Sequence, residues 1–134
     1  MKYIDIFKNI NPKIINECDH LLCSNIHFKD PFNDFIGKSN FKKMLSKIVN
    51  EVKNPQFIIL DQTISKNNQY FHWKFNGSVK YLGNLNITGM SYVKYDKNKK
   101  VCEHIDYWDS SEYFLEKIPV LKWQISYLKN RFSV

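Results

Sequence analysis

The residues in this chain best suited to chemistry lie in Val101-Cys102-Glu103-His104-Ile105-Asp106-Tyr107-Trp108-Asp109. Read with a period of two, the stretch is a strand, and Cys102, His104, Asp106 and Trp108 fall on one face. A carboxylate between an imidazole and an indole needs a partner or a purpose, because desolvating an unpaired charge is costly. A second acid in an aromatic setting is Asp30, in Phe28-Lys29-Asp30-Pro31-Phe32, where alternation puts Phe28, Asp30 and Phe32 on a common face. If Asp30 and Asp106 enter one pocket, they supply an acid and a base for proton transfer, hydration or epoxide opening. His104 would tune Asp106, while Phe28, Trp73, Ser91 and Trp108 would wall the ligand. The competing reading is structural. Asp30 would accept backbone N–H bonds beside Pro31, and Asp106 would pair with His104 or a tyrosine to hold its strand. Asp109 reads as a helix cap, with Glu112 three residues on.

The elements that must position these acids follow from periodicity. Tyr3, Ile6, Phe7 and Ile10 form a short helical stripe, and Asn11-Pro12 caps and opens a second helix running to about Cys23. Ile26 to Phe32 reads as a strand at an edge or ending at Pro31, and residues 33–37 read as a turn. Ser39 is expected to cap a helix with Phe41, Met44, Leu45, Ile48, Val49 and Val52 on its inner face, stopped by Pro55. Strands follow over 56–64, 70–81 and 85–95. The third has Gly89 and Ser91 on one face, and a glycine there marks a bend, a bulge or a close approach. Phe71, Trp73 and Phe75 point one way, and Tyr70, His72 and Lys74 the other. A last amphipathic segment carries Leu121, Ile125, Leu128 and Phe132 among basic residues. It is expected to act as a lid, in preference to lying on an anionic membrane.

Composition narrows the classes. The chain has 134 residues with 43% hydrophobic and 16% aromatic content, so a single ordered domain spanning 1–134 is expected. Net charge is +7, yet nucleic acid is disfavoured as a partner: nineteen of the twenty basic residues are lysine, alanine is absent, and the lysines are spread along the chain. Asp5 and Lys8 interrupt any apolar leader, and no stretch matches a membrane span. A cytoplasmic setting is therefore expected. Cys18, Cys23 and Cys102 are odd in number, with no CxxC, so free buried thiols are expected, with no metal site, no cofactor and no disulfide framework.

Helices followed by a meander of strands make an α+β plan. Phe28-Lys29-Asp30-Pro31-Phe32, Phe35-Ile36-Gly37, Ile87-Thr88-Gly89-Met90-Ser91, His104-Ile105-Asp106-Tyr107-Trp108-Asp109 and Ile118-Pro119-Val120-Leu121 together resemble the nuclear transport factor 2-like (NTF2-like) superfamily. The nearest resemblance is to its SnoaL-like uncharacterised bacterial members. That resemblance implies a cone in which N-terminal helices pack into a strongly curved, mostly antiparallel sheet around a deep apolar pocket, with a C-terminal helical tail. It also implies a homodimer through the outer sheet face. It places Asp30 where ketosteroid isomerases of the superfamily keep their general base, and Asp106 on a pocket-lining strand. Two departures stand out. Where those isomerases carry an oxyanion-stabilising tyrosine on the first helix, this chain has Ile6 and Phe7, and their neutral aspartate falls near Ser91. Limonene-epoxide hydrolases use Asp-Arg-Asp, and the only arginine here is Arg131. The expectation is a small hydrophobic, oxygen-bearing ligand, with acid–base chemistry by Asp30 and Asp106. The alternative is a non-catalytic binder, or an adaptor dimer acting through its surface or basic tail.

Overall fold

The computed structural model describes residues 1–114 and 117–133. Two short helices, α1 (Asp5–Lys8) and α2 (Pro12–Glu17), lead through a 3-10 turn (Cys18–Leu21) into β1 (Leu22–Lys29). A short β2 (Asp34–Ile36) and the long α3 (Lys38–Glu51) follow, then β3 (Val52–Ser65), β4 (Asn68–Val79), β5 (Gly83–Tyr95) and β6 (Val101–Tyr107). The chain closes with α4 (Ser110–Tyr113) and α5 (Pro119–Phe132). The six strands form one curved sheet in the order β2-β1-β6-β5-β4-β3, antiparallel except where β1 lies parallel to β6. This is the α+β plan expected.

Local chemistry explains the boundaries. Asn11 caps α2 by accepting the Ile14 N–H at 3.1 Å. Asp109 caps α4 through the N–H groups of Ser111 and Glu112, and those bonds, the Ser111 hydroxyl first among them, hold its carboxyl below the ordinary value. Four expectations shift. The 33–37 turn contains β2, which leaves β1 inside the sheet rather than at its edge. Helix α3 is capped by Gly37, not Ser39; φ at Gly37 is +100°, a conformation that favours glycine. Pro55 does not stop α3, which ends at Glu51. It sits where the β3–β4 register shifts between Lys53 and Gln56, a bulge that tolerates the missing N–H. The strict alternation of β6 also breaks at its start. A register shift beside Tyr95 puts Val101 inside, together with His104 and not with Cys102.

The core fills the concave side of the sheet. Phe7 from α1, Phe41 and Leu45 from α3, Phe28 from β1, and Phe71, Trp73 and Phe75 from β4 are all buried there. Cysteine behaves differently from expectation. Cys18 is a free buried thiol, but Cys23 and Cys102 are joined as a disulfide with Cα atoms 5.0 Å apart. Parallel pairing of Leu22 with Val101 brings the two next residues together. No helix among the described residues is long and apolar enough to cross a membrane.

Candidate functional site

Between α3 and the concave face of the sheet lies a cavity of about 430 Å³, within the range of small-molecule sites. Its wall is mostly aliphatic and aromatic. Phe28, Met44, Ile48, Trp73, Phe75 and Ile87 contribute, and Phe32, Trp108 and Phe114 stand around the rim. The three rim rings touch edge to face or tilted, with centroids 5.3 to 5.7 Å apart. No residue of α5 lines the cavity among the described residues, and Trp123 and Phe132 of that helix are 74% and 81% exposed. Among the described residues it is the rim aromatics, and no residue of the tail, that stand at the cavity.

Both candidate acids line this cavity, but they are held in opposite ways. Asp30 closes a turn. Its Oδ1 accepts the N–H groups of Phe32 and Asn33, each at 2.7 Å, and the Asn33 amide reaches both of its oxygens at 3.0 Å. Its own N–H donates to the Asn33 carbonyl at 2.9 Å. Proline at position 31 fixes φ for this turn.

Asp106 is held by side chains from distant parts of the sequence. Its Oδ1 accepts from His104 Nε2 at 2.7 Å and from the Ser91 hydroxyl, and Ser91 Oγ in turn accepts the Trp73 indole N–H at 2.8 Å. On the far side of His104, Nδ1 accepts the Tyr3 hydroxyl at 2.6 Å. Burial, then the carboxylate of Asp106, pushes the Tyr3 phenol well above its ordinary value. Ser91 spends its one hydroxyl hydrogen on Asp106 Oδ1, so that oxygen can only accept, the imidazole N–H lies on Nε2, and Nδ1 of the neutral ring is left to accept from the protonated phenol. Three rings clamp the imidazole edge to face: Phe28 at 5.2 Å, Phe7 at 5.3 Å and Tyr3 at 5.7 Å between centroids. His104 and Ser91 are 3% and 5% exposed. No hydrogen bond is made by Asp106 Oδ2 among the described residues. That oxygen is the chemically available one.

The expected site residues thus divide. Asp30, Asp106, Phe28, Trp73 and Trp108 line the cavity, whereas Ser91 and His104 lie behind Asp106, against a much smaller void. Tyr3 went unnoticed as a site residue. The one signal for it was a hydroxyl-bearing ring in the otherwise apolar stripe of Tyr3, Ile6, Phe7 and Ile10. Gly89 answers the question left by its place in the strand. A Cβ there would lie 2.5 Å from Trp73 Cζ2 and 3.0 Å from Trp108 Cβ, so its missing side chain lets Trp73 lie across β5 and reach Ser91.

A family model described as "Uncharacterized conserved protein (DUF2358)" matches residues 16–104. This chain belongs to that family. The match takes in β1, the Asp30 turn, Ser91 and His104, and ends two residues before Asp106. A search of curated proteins finds no match. Among solved structures, the chain is similar to a ketosteroid isomerase-like protein from Catenulispora acidiphila crystallised with trimethylamine, at 11% identity and TM-score 0.70, covering 84% of this chain and 85% of that one. It is also similar to an epoxide hydrolase of the LEH-like type from M. tuberculosis, at 11% identity and TM-score 0.68, covering 94% and 90%. A third is a putative SnoaL-like polyketide cyclase from Shewanella putrefaciens, at 17% identity and TM-score 0.65, covering 81% and 76%. At these identities the likeness is one of fold, and the family member described here has the NTF2-like fold.

Proposed function

We propose that the cavity binds a small, mostly apolar molecule bearing a hydroxyl, or a C–H made acidic by a neighbouring carbonyl, and that Asp106 Oδ2 engages it. The supporting observation is a carboxylate at an aromatic cavity whose other oxygen is already taken by His104 and Ser91. Such an arrangement fixes the orientation of the free oxygen before any ligand arrives. Oδ2 would accept a ligand O–H, or remove the acidic C–H proton as a general base, with His104 and Ser91 stabilising the carboxylate between turnovers. Asp30 acts in this reading as a rim residue, because proton transfer by its carboxylate would compete with the turn it closes.

Fluorescence of Trp73 and Trp108 on titration with hydroxylated and keto-bearing terpenoids tests binding, and proton exchange into D₂O at the carbon next to the ketone tests chemistry. Asp106→Asn should abolish exchange and weaken binding about tenfold, about 1.4 kcal/mol. Unchanged binding and exchange in that variant would refute the role given to Asp106.

A non-catalytic binder is the second reading. The turn bonds that occupy Asp30 support it, since they take one acid out of the pair a two-acid mechanism needs. Binding without exchange, weakened in Asp106→Asn, is its signature. In either case we propose pairing of two chains through the outer face of the sheet, where Met90 and Tyr107 are exposed cross-strand neighbours. Light scattering of Tyr107→Lys checks it, with a monomer expected.

A further inference from the structure

The disulfide sits in a cluster that has the makings of a second site. Cys23 Sγ, Cys102 Sγ and a carboxylate oxygen of Asp96 all lie within 4.8 Å of one another. Asp96 Oδ2 is 3.7 Å from Cys23 Sγ, and the Lys100 carbonyl oxygen is 3.9 Å from Cys23 Sγ and 3.7 Å from Cys102 Sγ. The carboxylate is not loose. Its Oδ1 accepts the N–H groups of Asn98 at 2.8 Å and Lys100 at 2.9 Å, which braces the β5–β6 turn and leaves Oδ2 turned toward the sulfurs. None of the three residues lines the cavity between α3 and the sheet.

We propose that, when the cysteines are reduced, Cys23, Cys102 and Asp96 bind a thiophilic divalent cation of the Zn²⁺ class, and that this state and the disulfide exclude each other. Two thiolates and a carboxylate oxygen suit zinc and disfavour Mg²⁺ or Ca²⁺, which take all-oxygen shells. The β1–β6 pairing fixes both sulfurs, and the turn's N–H groups orient the carboxylate as outer partners of a metal ligand do. The fourth position falls to water or the Lys100 carbonyl. Reduction by a dithiol breaks the S–S bond and converts the reductant to its cyclic disulfide, with two thiols formed on the protein. Metal entry then displaces the two thiol protons. In the oxidised chain the sulfur lone pairs are no longer thiolate, so affinity is lost.

Co²⁺ serves as the probe. The full chain is reduced with a dithiol, freed of it anaerobically and titrated with Co²⁺, and then Zn²⁺ is added. Reduced protein should show thiolate-to-cobalt charge transfer saturating at one ion per chain and bleached by Zn²⁺, and the oxidised protein should show none. Asp96→Asn keeps an oxygen for the turn's N–H groups, so the fold is retained while affinity falls by at least about tenfold. Cys102→Ser should remove most of the charge-transfer band, with circular dichroism confirming an intact sheet. The proposal fails if the reduced chain shows no such band, or if Asp96→Asn binds as tightly as the wild type. It fails equally if the oxidised chain binds as well, because the ion would then not depend on the thiolates.

Discussion

The two aspartates of the cavity sit on opposite terms with the rest of the molecule. Asp30 is held by the residues that follow it, through bonds a short peptide could make. Asp106 is held by Ser91, His104 and, through His104, Tyr3, a residue 101 positions from that histidine. The rim acid belongs to a turn, and the floor acid belongs to the fold. The contrast shows why residue type is a poor guide to role. Both are aspartates among aromatics, yet of the two it is Asp106 that offers the cavity an oxygen without a hydrogen bond among the described residues.

The comparison can be broken most directly by stability. His104→Ala opens a hole among Phe28, Phe7 and Tyr3 and strips the Tyr3 hydroxyl and Asp106 of a partner. It should cost about 3 kcal/mol in urea denaturation. Asp30→Ala frees N–H groups that water can reach and should cost about 1 kcal/mol. Equal losses would show that the floor is no more tightly built than the rim.

Gly89→Ala is the next largest. The added methyl falls on Trp73, so the indole must leave Ser91, at about 2 kcal/mol and with a changed tryptophan emission. Unchanged emission and stability would mean that the Trp73–Ser91 bond contributes nothing to the floor.

Ligand affinity sharpens the contrast further. Asp106→Asn should weaken binding about tenfold, or about 1.4 kcal/mol, whereas Asp30→Asn, whose amide oxygen can still close the turn, should leave it within about twofold, under roughly 0.5 kcal/mol.

The last effect is alkaline. The folded-state pKa of Tyr3 is raised, so its contribution is complete below the unfolded tyrosine value near 10 and is lost as pH climbs toward the folded one. Stability should therefore fall above about pH 10 by up to about 1.4 kcal/mol per pH unit for this one group. Tyr3→Phe should flatten that part of the profile, while Asp30→Asn should not. An unchanged slope in Tyr3→Phe would separate Tyr3 from the network.

What could be read along the chain was whatever depends on neighbours. Alternation put His104 and Asp106 on one face, the helical stripes found α1 and α3, and Asp109 declared itself a cap, because each rests on spacings of two to four residues. The Asp30 turn was foreseeable for the same reason. Single-residue slips were harder. The Val101–Cys102 reversal arises from a bulge, and the Gly37 cap from a positive φ, and neither leaves a periodic trace.

Tertiary structure alone settled which distant groups meet. The Tyr3 bond to His104 and the Cys23–Cys102 pairing across 79 residues depend on β1 lying parallel to β6 and on α1 packing inside the sheet. The exposure of Leu128 and Phe132 on α5 is decided in the same way, because the stripe of Leu121, Ile125, Leu128 and Phe132 has helical spacing whether or not anything covers it. Periodicity states that a face is apolar; only the assembled sheet determines what that face touches.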